Sequence, residues 1–196
     1  HSDQLDLSNN LMTQAVDPIG ENGVDLRNYG EPIGIIEARK LGADILDSKI
    51  DLTIAGEQSS YLLMTQLLLG RFLFGLDDDP WKNDKEPAFL CAVPGFDRHF
   101  ATLEGLGLKM HNVNLCSSGI DLDDLNKKLS KYPNIKGLIC VPRHSNPSGE
   151  VFSDENITNL LKITKEYNPS FINLFDHAYL IHDFDETQSQ TPIPVL

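Results

Sequence analysis

Gly137-Leu138-Ile139-Cys140-Val141 runs directly into Pro142-Arg143-His144-Ser145-Asn146-Pro147-Ser148-Gly149, and this join decides the fold. The first five residues carry no charge, which suits a strand covered on both faces, as in a parallel sheet. The polar segment after them, with two prolines and a glycine, has the chemistry of a turn at the strand's C-terminal end. Working outward, the same join recurs. Ala88 to Val93 reads as a strand followed by Pro94-Gly95-Phe96-Asp97-Arg98-His99-Phe100, and Phe171 to Phe175 as a strand followed by Asp176-His177-Ala178-Tyr179. Between these lie helical patterns over Asp97 to Leu106, Leu122 to Leu129 and Asp154 to Tyr167, and one more strand over Lys109 to Val113. Strands alternating with helices predict βαβ units in an α/β fold with a mostly parallel sheet, its chemistry gathered at the strands' C-terminal ends.

Upstream, apolar residues at Ile35, Ile36, Ala38, Leu41, Ile45 and Leu46 have the spacing of one helix face. Ile50 to Ala55 reads as a short β-like run. Tyr61 to Leu76 is too long and too rich in Leu for a strand, hence a buried helix with Ser59 or Ser60 as its N-cap. Asp77 to Lys85, charged and interrupted by Pro80, reads as a surface loop.

The 196 residues set 29 Asp and Glu against 16 Lys and Arg, a net charge of −13. Phosphate backbones and anionic headgroups repel such a domain, which argues against nucleic-acid and membrane partners. The longest apolar runs fall far short of the ~20 residues of a membrane span. Three widely spaced cysteines, Cys91, Cys116 and Cys140, form no Cys-x-x-Cys pair and fit a reduced, cytoplasmic protein. Asn156-Ile157-Thr158 fits a glycosylation sequon, read as a chance match.

No glycine-rich dinucleotide fingerprint, P-loop, nucleophile elbow or zincin motif occurs, which leaves the corresponding enzyme readings weak. His177, His182 and Asp183, taken with Asp176, have the spacing of no common metal site, so no metal is expected. Taken singly, Asn146 to Gly149 is a turn, Asp176 a cap, Phe96 a core ring and Ser59 or Ser60 an N-cap. In this order, at the ends of these strands, they read together as a site.

The order Arg27-Asn28-Tyr29-Gly30, Gly56 to Ser60 opening a Leu-rich helix, Pro94 to Phe100, Ser145 to Gly149 and Asp176 to Tyr179 resembles the fold-type I pyridoxal-phosphate aminotransferases. It is most similar to a bacterial aspartate aminotransferase subgroup with a Pro-Gly-Tyr-Asp-Arg-His-Phe segment. The resemblance runs from Leu5-Asp6-Leu7-Ser8-Asn9 to about Phe184. It implies a three-layer sandwich, the incomplete large domain of such an enzyme, with pyridoxal 5′-phosphate as cofactor and an amino acid and a 2-oxo acid, aspartate and 2-oxoglutarate, as substrates. Residues 1–30 then lead into the domain, 31–184 form its cofactor-binding part, and 185–196 are a loop or disordered tail.

By the same resemblance, Asp176 pairs with the pyridinium nitrogen, whose proton a carboxylate favours. Asn146 and Tyr179 bond the ring's phenolic oxygen, Phe96 stacks on the ring where the subgroup has Tyr, and Ser59 and Ser60 bind the phosphate at a helix N-terminus. Glu57 and Gln58 stand where the family more often has Gly or Asn. Tyr29 matches a tyrosine that reaches the phosphate of the neighbouring subunit, which implies a homodimer for the full-length protein.

The family's Schiff-base lysine follows the Asp-x-x-Tyr strand. The last lysine here is Lys165. None of the lysines matches that position, and the substrate-binding arginines have no counterpart either. The expectation is therefore a fragment cut on both sides, inactive alone, from an enzyme. A non-catalytic aminotransferase-like regulatory domain and a pyridoxal-phosphate lyase are the alternatives.

Overall fold

The computed structural model describes residues 19–25, 29–76 and 78–183. The resemblance at Leu5 to Asn9, Arg27, Asn28 and Phe184 and the expected tail at 185–196 lie outside them. The chain divides into two compact units between Gly56 and Glu57.

In the first unit the apolar stripe forms helix α1, Ile36–Ile45. The run from Ile50 to Ala55 is not a strand: Ile50–Leu52 is one turn of 3-10 helix, and Thr53 to Ala55 extend with no ladder among the described residues, Ala55 N donating singly to the Ile33 carbonyl at 2.9 Å. The reason is local. Arg39 donates from Nε to the Thr53 carbonyl at 2.9 Å and from Nη2 to that of Ile50 at 2.7 Å, taking acceptors that a neighbouring strand would need.

The second unit is a five-stranded sheet in the order β3-β2-β1-β4-β5. Its strands are β1 Ala88–Val93, β2 Lys109–Cys116, β3 Gly119–Ile120, β4 Ile135–Cys140 and β5 Ile172–Phe175. All pairings are parallel except β2 with β3. The expected alternation is thus present, with helices α2 Ser60–Phe74, α3 Asp97–Gly105, α4 Leu122–Lys131 and α5 Asp154–Tyr167.

Side-chain alternation along β1 builds two cores. Ala88, Leu90 and Ala92 pack with Leu125, Leu129 and Leu160 of α4 and α5, whereas Phe89 and Cys91 pack with Met64, Leu68 and Leu103 of α2 and α3. The sheet is therefore a middle layer between two helical ones. The chain leaves β1 in one direction toward β2, then returns across it to β4, so a crevice opens where the exits of β1 and β4 diverge. Close packing under that crevice requires glycine at 137, because a Cβ there would lie 2.4 Å from Phe89 Cζ and 2.5 Å from the Ile172 carbonyl oxygen.

Three details differ from the sequence expectation. The charged stretch before β1 is not wholly surface: Trp81 is buried against Phe89, ring centroids 5.9 Å apart. β5 is half-buried along its length, since β4 covers only one of its edges among the described residues. β3, which no pattern announced, is held by Asn156. That side chain is buried, accepts from Ile120 N at 3.0 Å and donates to Ile120 O at 2.8 Å. The sequon's asparagine is therefore a structural clip, with both ends of its amide occupied.

Candidate cofactor site

The exits of β1, β4 and β5 supply the residues that meet in the crevice. Gly95 turns the chain out of β1 so closely that a Cβ would lie 2.4 Å from the Ala92 carbonyl oxygen. Phe96 follows, half-buried, at the head of α3. His99, one turn on, is buried, and its ring meets that of Phe96 edge to face at 5.3 Å. Phe96, His99, Cys140, Val141 and Ser145 line one small cavity.

Asp176 begins the loop after β5. Its Oδ2 lies 2.9 Å from His99 Nε2, and its Oδ1 accepts from Ala178 N at 3.1 Å. The His99 hydrogen bond holds this carboxyl below the usual carboxylate range against the opposing effect of burial. An ionised carboxylate only accepts, so Nε2 of His99 carries the proton of this bond. Next to it, burial lowers the pKa of His177, whose Nδ1 is buried without a hydrogen-bond partner.

Asn146, in the loop after β4, donates from Nδ2 to the Tyr179 hydroxyl at 3.3 Å. The same loops are tied by Asp183, which accepts from Arg143 Nε at 3.1 Å, from Arg143 Nη2, and pairs with His144 Nε2 at 2.8 Å. The His99–Asp176 bond thus ties the head of α3, beside Phe96, to the exit of β5, and the Asn146–Tyr179 and Arg143–Asp183 contacts tie the exit of β4 to that of β5.

Ser59 and Ser60 are exposed at the head of α2 in the same unit. Ser59 Oγ accepts from Tyr61 N at 3.2 Å, the N-cap that the sequence led one to expect. Glu57, the unexpected acid beside them, adopts φ +59° and accepts from Gln66 Nε2 at 2.8 Å. Gln66 lies almost two turns into the helix, so one oxygen of the carboxylate is engaged by an amide donor of the helix. Tyr29 belongs to the first unit and is fully exposed.

Two features were not foreseen. His99 stands in the sequence only as part of the stretch after β1, although its i+3 spacing from Phe96 places both on one face of a helix turn. The Arg143–Asp183 pair had no local signal, because 40 residues separate its members. Among the described residues no group of His, Cys, Asp and Glu is arranged to hold a metal, and no helix is long and apolar enough to cross a membrane.

The sequence pattern of the family described as aspartate amino-transferase matches residues 1–194. The chain belongs to that family. It is 34% identical over 187 residues to the aspartate aminotransferase of Corynebacterium glutamicum, covering 92% of this chain and 42% of that protein. The solved structure of an aspartate transaminase from the same organism superposes with a TM-score of 0.82 at 32% identity, over 94% of this chain and 45% of that one. The chain thus spans less than half the length of these relatives. An α-aminoadipate aminotransferase from Thermus thermophilus, solved with N-(5′-phosphopyridoxyl)-L-leucine, shares the fold at 19% identity and a TM-score of 0.59, over 78% of this chain and 35% of that one.

Proposed function

We propose that these residues form most of the cofactor-binding large domain of a pyridoxal-phosphate-dependent aminotransferase that moves an amino group between aspartate and 2-oxoglutarate. The observation that carries the reading is Asp176, kept ionised by His99 where the exits of β1, β4 and β5 meet. When bound, pyridoxal phosphate supplies an electron sink for bonds to the α-carbon of the amino acid.

The residues present fit that group. A carboxylate held charged in a half-buried loop favours a proton on a ring nitrogen beside it. Asn146 and Tyr179 already share a hydrogen bond, so their amide and hydroxyl donors converge on one place. Phe96 offers an aromatic face for the ring and keeps the stacking of the subgroup's Tyr without its hydroxyl. Ser59 and Ser60 head a helix of 15 residues, whose N-terminal dipole and serine hydroxyls favour a phosphate, and Glu57 is tied off against Gln66. The orphaned Nδ1 of His177 is a further polar group available beside Asp176.

The lysine that anchors the cofactor is assigned to no residue here, since none follows Lys165, and the 196 residues alone are expected to be inactive. The full-length protein is proposed to be a cytoplasmic homodimer in which Tyr29 reaches the neighbour's phosphate.

The test is transamination between aspartate and 2-oxoglutarate by the full-length protein, with and without Asp176→Ala, the fold being checked by circular dichroism. Turnover in the parent and its loss in the variant are expected. Equal turnover in both, or none in the cofactor-loaded parent, overturns the reading.

A further inference from the structure

The loops that carry Asn146 and Tyr179 are joined more firmly by charge than by the bond between those two side chains. That bond, at 3.3 Å, is at the long end of the range. Arg143, three residues before Asn146, is 4% exposed and holds the carboxylate of Asp183, four residues after Tyr179, with Nε on Oδ1 and Nη2 on Oδ2. A two-pronged guanidinium–carboxylate contact fixes direction as well as distance. His144 adds a third contact to Asp183 Oδ1 at 2.8 Å and does so from φ +50°, a backbone conformation L residues rarely adopt and keep only where the surroundings over-determine it.

We propose that Asp183, clamped by Arg143 and His144, is a positioning residue that sets how closely Asn146 and Tyr179 present their two donors to the phenolic oxygen of the cofactor. This rests on the function proposed above. Arg143, followed by His144, also holds the Asp183 carboxyl below its usual range, so the clamp stays charged across the neutral region. Donors at the phenolic oxygen stabilise negative charge there. A loosened clamp weakens both donors, so the cofactor retains its proton to higher pH.

The experiment is a pH titration of the visible absorbance of the full-length protein loaded with pyridoxal phosphate, beside a thermal unfolding curve for each variant. Asp183→Asn keeps the side-chain size and drops the charge. Arg143→Lys keeps a charge and loses the fork, so it carries the test should Asp183→Asn fail to fold. The groups that face Asp176 and Tyr179, namely His99, His177 and His182, are the same in every variant, and position 143, whose charge also acts on His177, stays cationic in all of them.

The expected result is an upward shift of the titration midpoint of about one pH unit in Asp183→Asn and a smaller one in Arg143→Lys. Tyr179→Phe should shift it in the same direction, and Asp183→Asn should add less in that background than alone. An unshifted midpoint in both clamp variants overturns the proposal, even where thermal stability falls. A parent that shows no cofactor band at all overturns the functional reading, and the proposal with it.

Discussion

His99, on the first turn of α3, lies with Nε2 2.9 Å from Oδ2 of Asp176, a residue 77 positions later at the exit of β5. A donor from a buried ring thus holds a carboxylate at the mouth of the crevice. Replacing His99 by Phe keeps an aromatic ring but leaves that carboxylate without its main partner. Hydrogen bonds to charged groups contribute ~1.5–3 kcal/mol, and urea unfolding near neutral pH should show a loss of that order. A midpoint within error of the parent's would mean that the pair contributes nothing to the fold.

The same pair has a defined acid limb. The pKa of Asp176 is lower in the folded chain than in the unfolded one. Its contribution is therefore complete above the unfolded value of ~3.9 and is lost as pH falls through the folded value. The part of the stability gap between the parent and His99→Phe that rests on the ionised Asp176 should shrink below about pH 4. Denaturant midpoints at a series of pH values measure it, and a gap that widened on acidification would reverse the sign argued here.

Gly137→Ala should be costly although it adds one methyl group. The new Cβ meets both the Phe89 ring and a backbone oxygen of β5, and only the ring can move. Overpacking of this kind costs ~1–3 kcal/mol, read as a lowered melting temperature. A variant as stable as the parent would show that β4 and β5 can separate freely at this point.

Asn156→Ala removes both bonds that fasten Ile120. Two backbone groups lose their partners in the interior, each at a cost of ~1–3 kcal/mol. Amide hydrogen exchange should quicken at Ile120 before it does in β1 or β4. Expression through a secretory pathway provides a second check: the folded protein should carry no glycan at Asn156, since its amide is buried and bonded at both ends.

Thiol chemistry separates the three cysteines. Cys116 is exposed, whereas burial pushes the Cys91 thiol up to about 12 and raises Cys140 further still, with Asp176 adding to the effect there. The thiolate is the reactive form. A thiol reagent should therefore label Cys116 quickly in the native protein, and Cys91 and Cys140 only once it unfolds. Rapid native labelling of Cys140 would mean that the crevice floor opens.

Which parts of this architecture could be read in advance follows from how far each signal reaches along the chain. α5 announces itself through Ser153, which caps Asn156 N at 3.1 Å, and through apolar spacing confined to its own residues. β1 and the part of β4 from Gly137 to Cys140 are legible because burial on both faces leaves an unbroken apolar run. Ile50 to Ala55 deceived for the opposite reason: its composition suits a strand, but whether a strand lies beside it is decided elsewhere, by Arg39. β3 is two residues long and depends on Asn156, 36 positions away from Ile120. In the candidate site the motif residues were visible one by one, whereas the His99–Asp176 and Arg143–Asp183 pairs exist only once the sheet has been assembled.

That dependence on assembly gives the site a place in time. During synthesis at ~5–20 residues per second, Asp176 is joined to the chain about 4 to 15 s after His99. β1, β2 and β4 can pair in that interval, whereas β5 has only β4 to pair with among the described residues. All residues of β1, β2 and β4 are therefore joined to a nascent chain before the acid that His99 is to hold. Until β5 docks, the crevice has two of its three walls, and anything that delays that last strand prolongs the exposure of the edge of β4.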